Sequence, residues 1–225
     1  MQILYEDNHI IAVNKTSSEI VQGDKTGDTP LSETVKQYLK EKHRKPGAVF
    51  LGVTHRLDRP TSGVVLFART SKALTRLNKM FAQKDIIKKI YWAVVDRKPP
   101  EIEGILQHWL VRNTKQNKSY AHNTQKDDSK EAILHYRLVN HSDKYYLLEI
   151  EIKTGRHHQI RAQLAAIGCI IKGDMKYGAS RSNTGGGIHL HARRIEFVHP
   201  VSKKEIKITA PVPNDKLWKY FEKHA

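Results

Sequence analysis

A chain of 225 residues in which 39% are hydrophobic can bury a core, which excludes disorder along its whole length. It has no apolar run near the ~20 residues that cross a bilayer, no basic-then-apolar leader in Met1-Gln2-Ile3-Leu4-Tyr5-Glu6, and a single cysteine, Cys169, which excludes an internal disulfide. The formal net charge is +16, and residues 1–35 hold six acidic against two basic side chains. The positive excess therefore lies downstream, and it points to a polyanionic partner whose condensed counterions are released on binding. From these features the protein is expected to be cytoplasmic. Cys169, after Leu164-Ala165-Ala166-Ile167-Gly168, is expected to be a packed structural thiol.

Ile3-Leu4-Tyr5 and His9-Ile10-Ile11-Ala12-Val13 flank Asp7-Asn8, which predicts two short strands and a turn. Thr29 as N-cap and Pro30 at the first helical position predict a helix carrying Leu31, Val35, Tyr38 and Leu39. A basic stretch follows, from Lys36 through Lys40 to Lys45. Gly63-Val64-Val65-Leu66-Phe67-Ala68 has the pattern of a buried strand, with Ser71 capping a helix that bears Leu74, Leu77 and Phe81. Ile90-Tyr91-Trp92-Ala93-Val94-Val95 is another strand. Segment 112–130 is polar and basic, an exposed loop or a poorly paired hairpin. Residues 131–139 and 145–153 form a hairpin around Asn140-His141-Ser142-Asp143. A helix is expected from His157 to Ile167, with Ile160 and Leu164 as its apolar stripe and Gly168 at its end. Strands near 188–198 and 204–209 and a short helix near 215–223 complete the chain. Strands dominate and helices do not alternate strictly with them, so the class is α+β with a mixed or mostly antiparallel sheet, not a doubly wound fold.

Three polar clusters interrupt segments that otherwise have a core pattern. In His55-Arg56-Leu57-Asp58-Arg59-Pro60-Thr61-Ser62-Gly63, a carboxylate sits among arginines just before the apolar strand. Either Asp58 caps a turn with the backbone of Thr61 or Ser62, or it enters the core with a cationic partner. Tyr91 by pattern is an aromatic strand residue whose hydroxyl needs a partner if buried. In Lys153-Thr154-Gly155-Arg156-His157-His158-Gln159-Ile160-Arg161, a strand ends and a helix begins, so unpaired backbone N–H groups meet several cations, the geometry of an anion site. His158 and Arg161, three apart, are expected on one face, away from the Ile160–Leu164 stripe. His189-Leu190-His191 puts two imidazoles on one strand face. No CxxC, HExxH or carboxylate cluster accompanies them, so no metal is expected. Nor is there a P-loop or a GxGxxG after a strand, and no nucleotide cofactor is expected.

Together these clusters resemble the RluA-type pseudouridine synthases, in order from about Tyr5 to Pro213. His55 to Gly63 is similar to the family's signature around its aspartate, and Ile90-Tyr91-Trp92-Ala93-Val94 to its tyrosine strand. Lys153 to Arg161 matches its basic strand–helix junction, Ile171-Lys172-Gly173-Asp174-Met175-Lys176-Tyr177-Gly178 the glycine-aspartate stretch after it, and His189-Leu190-His191-Ala192 its late core strand. Val13-Asn14-Lys15-Thr16-Ser17-Ser18-Glu19 departs from the family by lacking a proline and glycine after the lysine. The resemblance implies a single catalytic domain over 1–225, a short form without an S4-type module. It also implies a bent, mixed, mostly antiparallel sheet with flanking helices and a central RNA-binding cleft. The implied reaction is cofactor-free isomerisation of uridines in ribosomal or transfer RNA by a monomer. Asp58 is then the catalytic carboxylate, attacking ribose or base or taking a ribose proton. Tyr91 stacks on the uracil, Arg161 keeps Asp58 ionised, and Arg56 enters the stack that the flipped uridine vacates. Lys15, Lys153, Arg156 and His158 contact phosphate or base. Two rival readings are a non-catalytic RNA-binding protein on the same fold and a phosphate-handling hydrolase using Asp58.

Overall fold

The computed structural model describes residues 1–24, 26–83 and 85–225. In chain order they form β1 (Gln2–Glu6), β2 (Ile10–Lys15), α1 (Leu31–Lys42), β3 (Gly52–Val53), β4 (Ser62–Ala68), α2 (Ser71–Ala82), β5 (Lys88–Val95), β6 (Glu103–Asn113), β7 (Lys118–His122), β8 (Lys130–His141), β9 (Tyr146–Ile152), α3 (Gln159–Ala166), a 3-10 turn (Met175–Tyr177), β10 (Leu190–Val198), β11 (Glu205–Thr209) and α4 (Lys216–His224). The class is α+β, as the sequence predicts. No described helix is long and apolar enough to cross a membrane.

The chain divides into two compact units. The first holds Met1–Ile87 and Arg194–Pro211. In it β2 pairs antiparallel with β1 and with β4, along a register from Ile10↔Ala68 to Lys15↔Gly63. β3 pairs with the end of β4, and β11 with the second half of β10. Every residue of β4 is buried, as its unbroken apolar run requires. Ile10, Ala12, Val64 and Leu66 pack with Leu77 of α2 and with Ile195, Phe197 and Ile208. The helix starts differ from expectation by one residue. Pro30, not Thr29, is the N-cap of α1, and it makes no side-chain cap bond. Thr70, not Ser71, caps α2, accepting from the N–H of Ala73 at 3.1 Å.

The second unit holds Lys88–Arg193 and Val212–Ala225. Its strands run β5-β9-β8-β6-β7, each pair antiparallel. Tyr91, Ala93 and Val95 lie on the sheet face that packs against Ile160 and Leu164 of α3. Trp92 and Val94, one residue out of phase, face Trp218 and Phe221 of α4 on the other side. Cys169 is fully buried and burial pushes its thiol up to about 11, which fits the packed structural thiol expected of it. One expectation is corrected here. Residues 112–130 are neither loop nor weak hairpin at their start, because β6 and β7 keep a regular register from Trp109↔His122 to Asn113↔Lys118. In α3, Ile160 and Leu164 form the expected stripe, and all of Gln159 to Leu164 are buried, Arg161 included.

Candidate active site

The first unit carries Asp58 on the loop between β3 and β4. Leu57 is buried and roots this loop, while Arg56 is exposed and Asp58 half-buried. The Thr61 N–H donates to the Asp58 carbonyl at 3.0 Å and closes a turn. The chain then enters β4 through Gly63 at φ 116°, a conformation that side chains rarely adopt. Lys15 sits beneath. It is fully buried at the end of β2, and its ammonium donates to the carbonyls of Thr16 (2.9 Å), Asp58 (3.3 Å), Arg59 (3.0 Å) and Thr61 (2.6 Å). Burial pulls its pKa down to about 8. An ammonium enclosed by four carbonyls cannot reach a phosphate, so the expectation of an RNA contact at Lys15 is corrected: the residue anchors the Asp58 loop. Arg59 ties the same loop to the preceding segment, reaching Asp28 at 2.6 Å and the Thr26 hydroxyl at 2.7 Å.

The second unit carries the β9–α3 junction, which is wired through Gln159. Its amide oxygen accepts from the Thr154 hydroxyl at 2.7 Å and from the Arg156 N–H at 3.0 Å, and its amide nitrogen donates to the Ile133 carbonyl at 3.0 Å. Lys153 is half-buried with its ammonium 2.6 Å from Glu151. Arg156 is exposed, its Nε donating to the Glu131 carbonyl at 2.9 Å. His158 is the N-cap of α3 in the left-handed region, at φ 53°. Its ring stacks on His157 at 3.8 Å, and its Nδ1 lies 3.1 Å from the Tyr177 hydroxyl. Burial holds its imidazole down to about 2, assisted by the charges of Arg161, His157, Lys176 and Arg112. His158 is thus a neutral, packed ring at a helix start.

Arg161 projects from the buried part of α3 and meets Asp174. The pair is bidentate, Nε to Oδ2 at 2.7 Å and Nη2 to Oδ1 at 2.8 Å, and both side chains are nearly inaccessible, at 5% and 1%. The guanidinium also lies 5.0 Å from the centre of the Tyr177 ring. The Tyr177 hydroxyl accepts from the Ser119 N–H at 2.9 Å and donates to the Ser119 carbonyl at 3.1 Å, which fastens β7 to the same cluster. Tyr91 shares the α3 face of the sheet and is half-buried opposite Ile150. Sequence reasoning placed Asp174 and Tyr177 in the glycine-aspartate stretch but gave them no role. The available signal was Arg161 itself, since an arginine within an apolar helix needs a buried acid, and Gly173-Asp174 supplies one thirteen residues on.

His189 and His191 both face Trp218, at 5.1 and 5.9 Å between ring centres. His189 accepts at Nδ1 from the Asn183 amide (3.0 Å) and donates at Nε2 to Asp215 (3.1 Å), the residue that caps α4. Among the described residues, no group of three or more His, Cys, Asp or Glu is arranged to hold a metal.

The chain matches a known family, known relatives and a solved structure. The family described as RNA pseudouridylate synthase matches residues 9–166, a span that takes in parts of both units. The chain is similar to ribosomal large subunit pseudouridine synthase C of Rickettsia prowazekii, 34% identical over 213 residues, 94% of this chain and 68% of the relative. It is similar also to ribosomal large subunit pseudouridine synthase D of Xylella fastidiosa, 33% identical over 233 residues, 96% of this chain and 67% of the relative. Among solved structures, human RNA pseudouridylate synthase domain containing 4 matches with a TM-score of 0.81 at 21% identity, over 98% of this chain and 92% of that one. At that identity the likeness establishes the fold.

Proposed function

The chain belongs to the RNA pseudouridylate synthase family, and from that premise we propose that it converts uridine to pseudouridine in the RNA of the large ribosomal subunit, with Asp58 as its catalytic carboxylate. As a member of the family it is an isomerase acting on RNA. The C1′–N1 bond breaks, the uracil turns, and C1′ bonds to C5, while a proton leaves C5 and N1 gains one. The target atoms are shielded in a stacked helix, so the uridine is flipped out at a cost of a few kcal/mol.

The observation that carries the assignment is the support beneath Asp58. A buried ammonium holds the carbonyls of Asp58, Arg59 and Thr61 at once, so the carboxylate stands on a fixed loop although it is half-exposed. A reacting group gains rate when its position is set before substrate arrives. Asp58 attacks ribose or base, or takes a ribose proton. Arg161, oriented by Asp174 and Tyr177, completes the catalytic set, and Tyr91 stacks on the uracil and moves the C5 proton. Arg56, exposed on the same loop, enters the vacated stack, and Lys153 and Arg156 contact the RNA backbone. The family match spans residues of both units, which supports one catalytic domain over 1–225. It acts in the cytoplasm as a monomer.

A pseudouridine map of ribosomal and transfer RNA, from cells with and without the gene, tests this reading. Loss of one or more large-subunit sites is expected. Unchanged ribosomal maps, or losses confined to transfer RNA, contradict the substrate.

A further inference from the structure

The strand that leads into the Asp58 loop ends early. β3 pairs with β4 at only two positions, Gly52↔Ala68 and Val53↔Phe67, and the next rung would set Thr54 opposite Leu66. That rung is completed by side chains instead. The Thr54 hydroxyl donates to the Leu66 carbonyl at 2.5 Å, and the Leu66 N–H donates to His55 Nε2 at 3.0 Å. The imidazole also stacks on Phe81 of α2, with ring centres 4.9 Å apart and planes at 29°. Leu66 is fully buried in the middle of β4, paired on its other side with Ala12 of β2. Its two backbone groups therefore require partners, and side chains that bond them free the backbone of residues 54–55 to leave the sheet.

This arrangement decides where the loop begins. Arg56 follows His55 directly and Asp58 is two residues further, while Lys15 holds the loop at its far end. Among acceptor-bearing side chains, an imidazole whose Nε2 accepts from the Leu66 N–H is suited to the place because it is rigid, flat enough to stack on Phe81, and long enough to reach the strand. We propose that His55 is a positioning residue for Asp58. Its acceptor nitrogen, together with Thr54, replaces a rung of the β3–β4 ladder and so sets the take-off point of the catalytic loop. The proposal rests on the functional reading above only for its consequence in rate; the pinning of the loop stands on its own geometry.

Two variants separate the parts. His55→Phe keeps the stack on Phe81 and removes the acceptor, and His55→Gln returns an acceptor oxygen near the place of Nε2. Single-turnover pseudouridine formation at saturating RNA, RNA affinity, and hydrogen exchange at the Leu66 amide are measured for each. His55→Phe is expected to slow the bound reaction by roughly tenfold to a hundredfold, the usual consequence of displacing a reacting group by about an ångström, with affinity unchanged. The Leu66 amide should exchange at least about tenfold faster in that variant, and His55→Gln should restore both rate and protection toward wild type. A wild-type rate in His55→Phe, unaltered Leu66 exchange, or a loss that His55→Gln shares in full overturns the proposal. If His55→Phe does not fold, Thr54→Val, which removes only the donor to the Leu66 carbonyl, is held to the same readouts. Should the wild-type protein form no pseudouridine on any RNA, the functional reading fails, and the exchange measurement still decides whether His55 holds the loop.

Discussion

Replacing Arg161 by methionine removes one half of a buried, bidentate ion pair and leaves Asp174 at 1% exposure without the guanidinium that it faces at 2.7 and 2.8 Å. Breaking such a pair from one side costs ~3–5 kcal/mol, because the remaining charge keeps its desolvation penalty and loses its compensation. For a protein of this size, each kcal/mol shifts the melting temperature by roughly 2–4 °C, so the expected fall is about 6–20 °C. Asp174→Leu should destabilise by a similar amount for the mirror-image reason. The double variant Arg161→Met with Asp174→Leu buries no charge there, and apolar replacement of a buried pair is often neutral or stabilising. The double variant should therefore melt above either single one, with a coupling energy of about 2 kcal/mol or more. Thermal and urea melts of the four proteins measure it. Additive losses, with the double variant the least stable, would refute the argument that these residues stabilise each other by mutual neutralisation. Activity should be lost in every variant lacking Arg161, whatever its stability.

Three further outcomes are expected. Burial alone would raise the Glu6 carboxyl, but hydrogen bonds from Lys42, His43 and Tyr38 and the charge of Lys42 outweigh it and hold the group at about 2. Because the folded value lies below the unfolded one, the stabilisation is present above about pH 4.5 and is lost as pH falls toward 2. Glu6→Gln should thus cost about 1 kcal/mol at neutral pH, the raw shift being discounted for solvent screening, and the gap should close in acid; a pH-independent gap in urea melts would contradict this. Lys15→Met should slow the reaction and destabilise the protein while leaving the salt dependence of RNA binding unchanged, whereas loss of a phosphate contact would reduce the slope by ~0.7. Tyr177→Phe should cost ~1–3 kcal/mol and speed exchange at the Ser119 amide, since it removes both backbone partners of a buried residue. Unchanged exchange there would mean that β7 is not held by this hydroxyl.

The elements with strong periodicity were legible in the sequence. β4 is an unbroken apolar run and is buried throughout, and α2 and α4 each show one apolar face. β6 was not legible, because its burial alternates but its residue types do not follow: Ile105 is 63% exposed while His108 is buried. The stripe expected on α3 packs on the sheet, but the fate of the polar residues beside it was not legible: its first six residues are all buried, and the polar ones are satisfied by specific partners rather than by solvent. Basic residues misled in the same way. The resemblance gives Lys15 and His158 a phosphate or base contact, yet both side chains are buried against groups that follow only from the three-dimensional pairing of distant segments. The Asp58 loop, by contrast, was legible as a motif, although its Lys15 anchor lies more than forty residues away.

The central claim, that Asp58 is the catalytic carboxylate, is tested most directly by tritium release from RNA carrying 5-tritiated uridine, comparing wild type with Asp58→Asn under single-turnover conditions. The substitution keeps the size of the side chain and the carbonyls that Lys15 holds, and removes the charge needed for either nucleophilic or base chemistry. The account predicts that release is abolished while RNA affinity and melting temperature stay close to wild type. Release within about tenfold of the wild-type rate would contradict it, since an amide cannot stand in for the carboxylate at that cost.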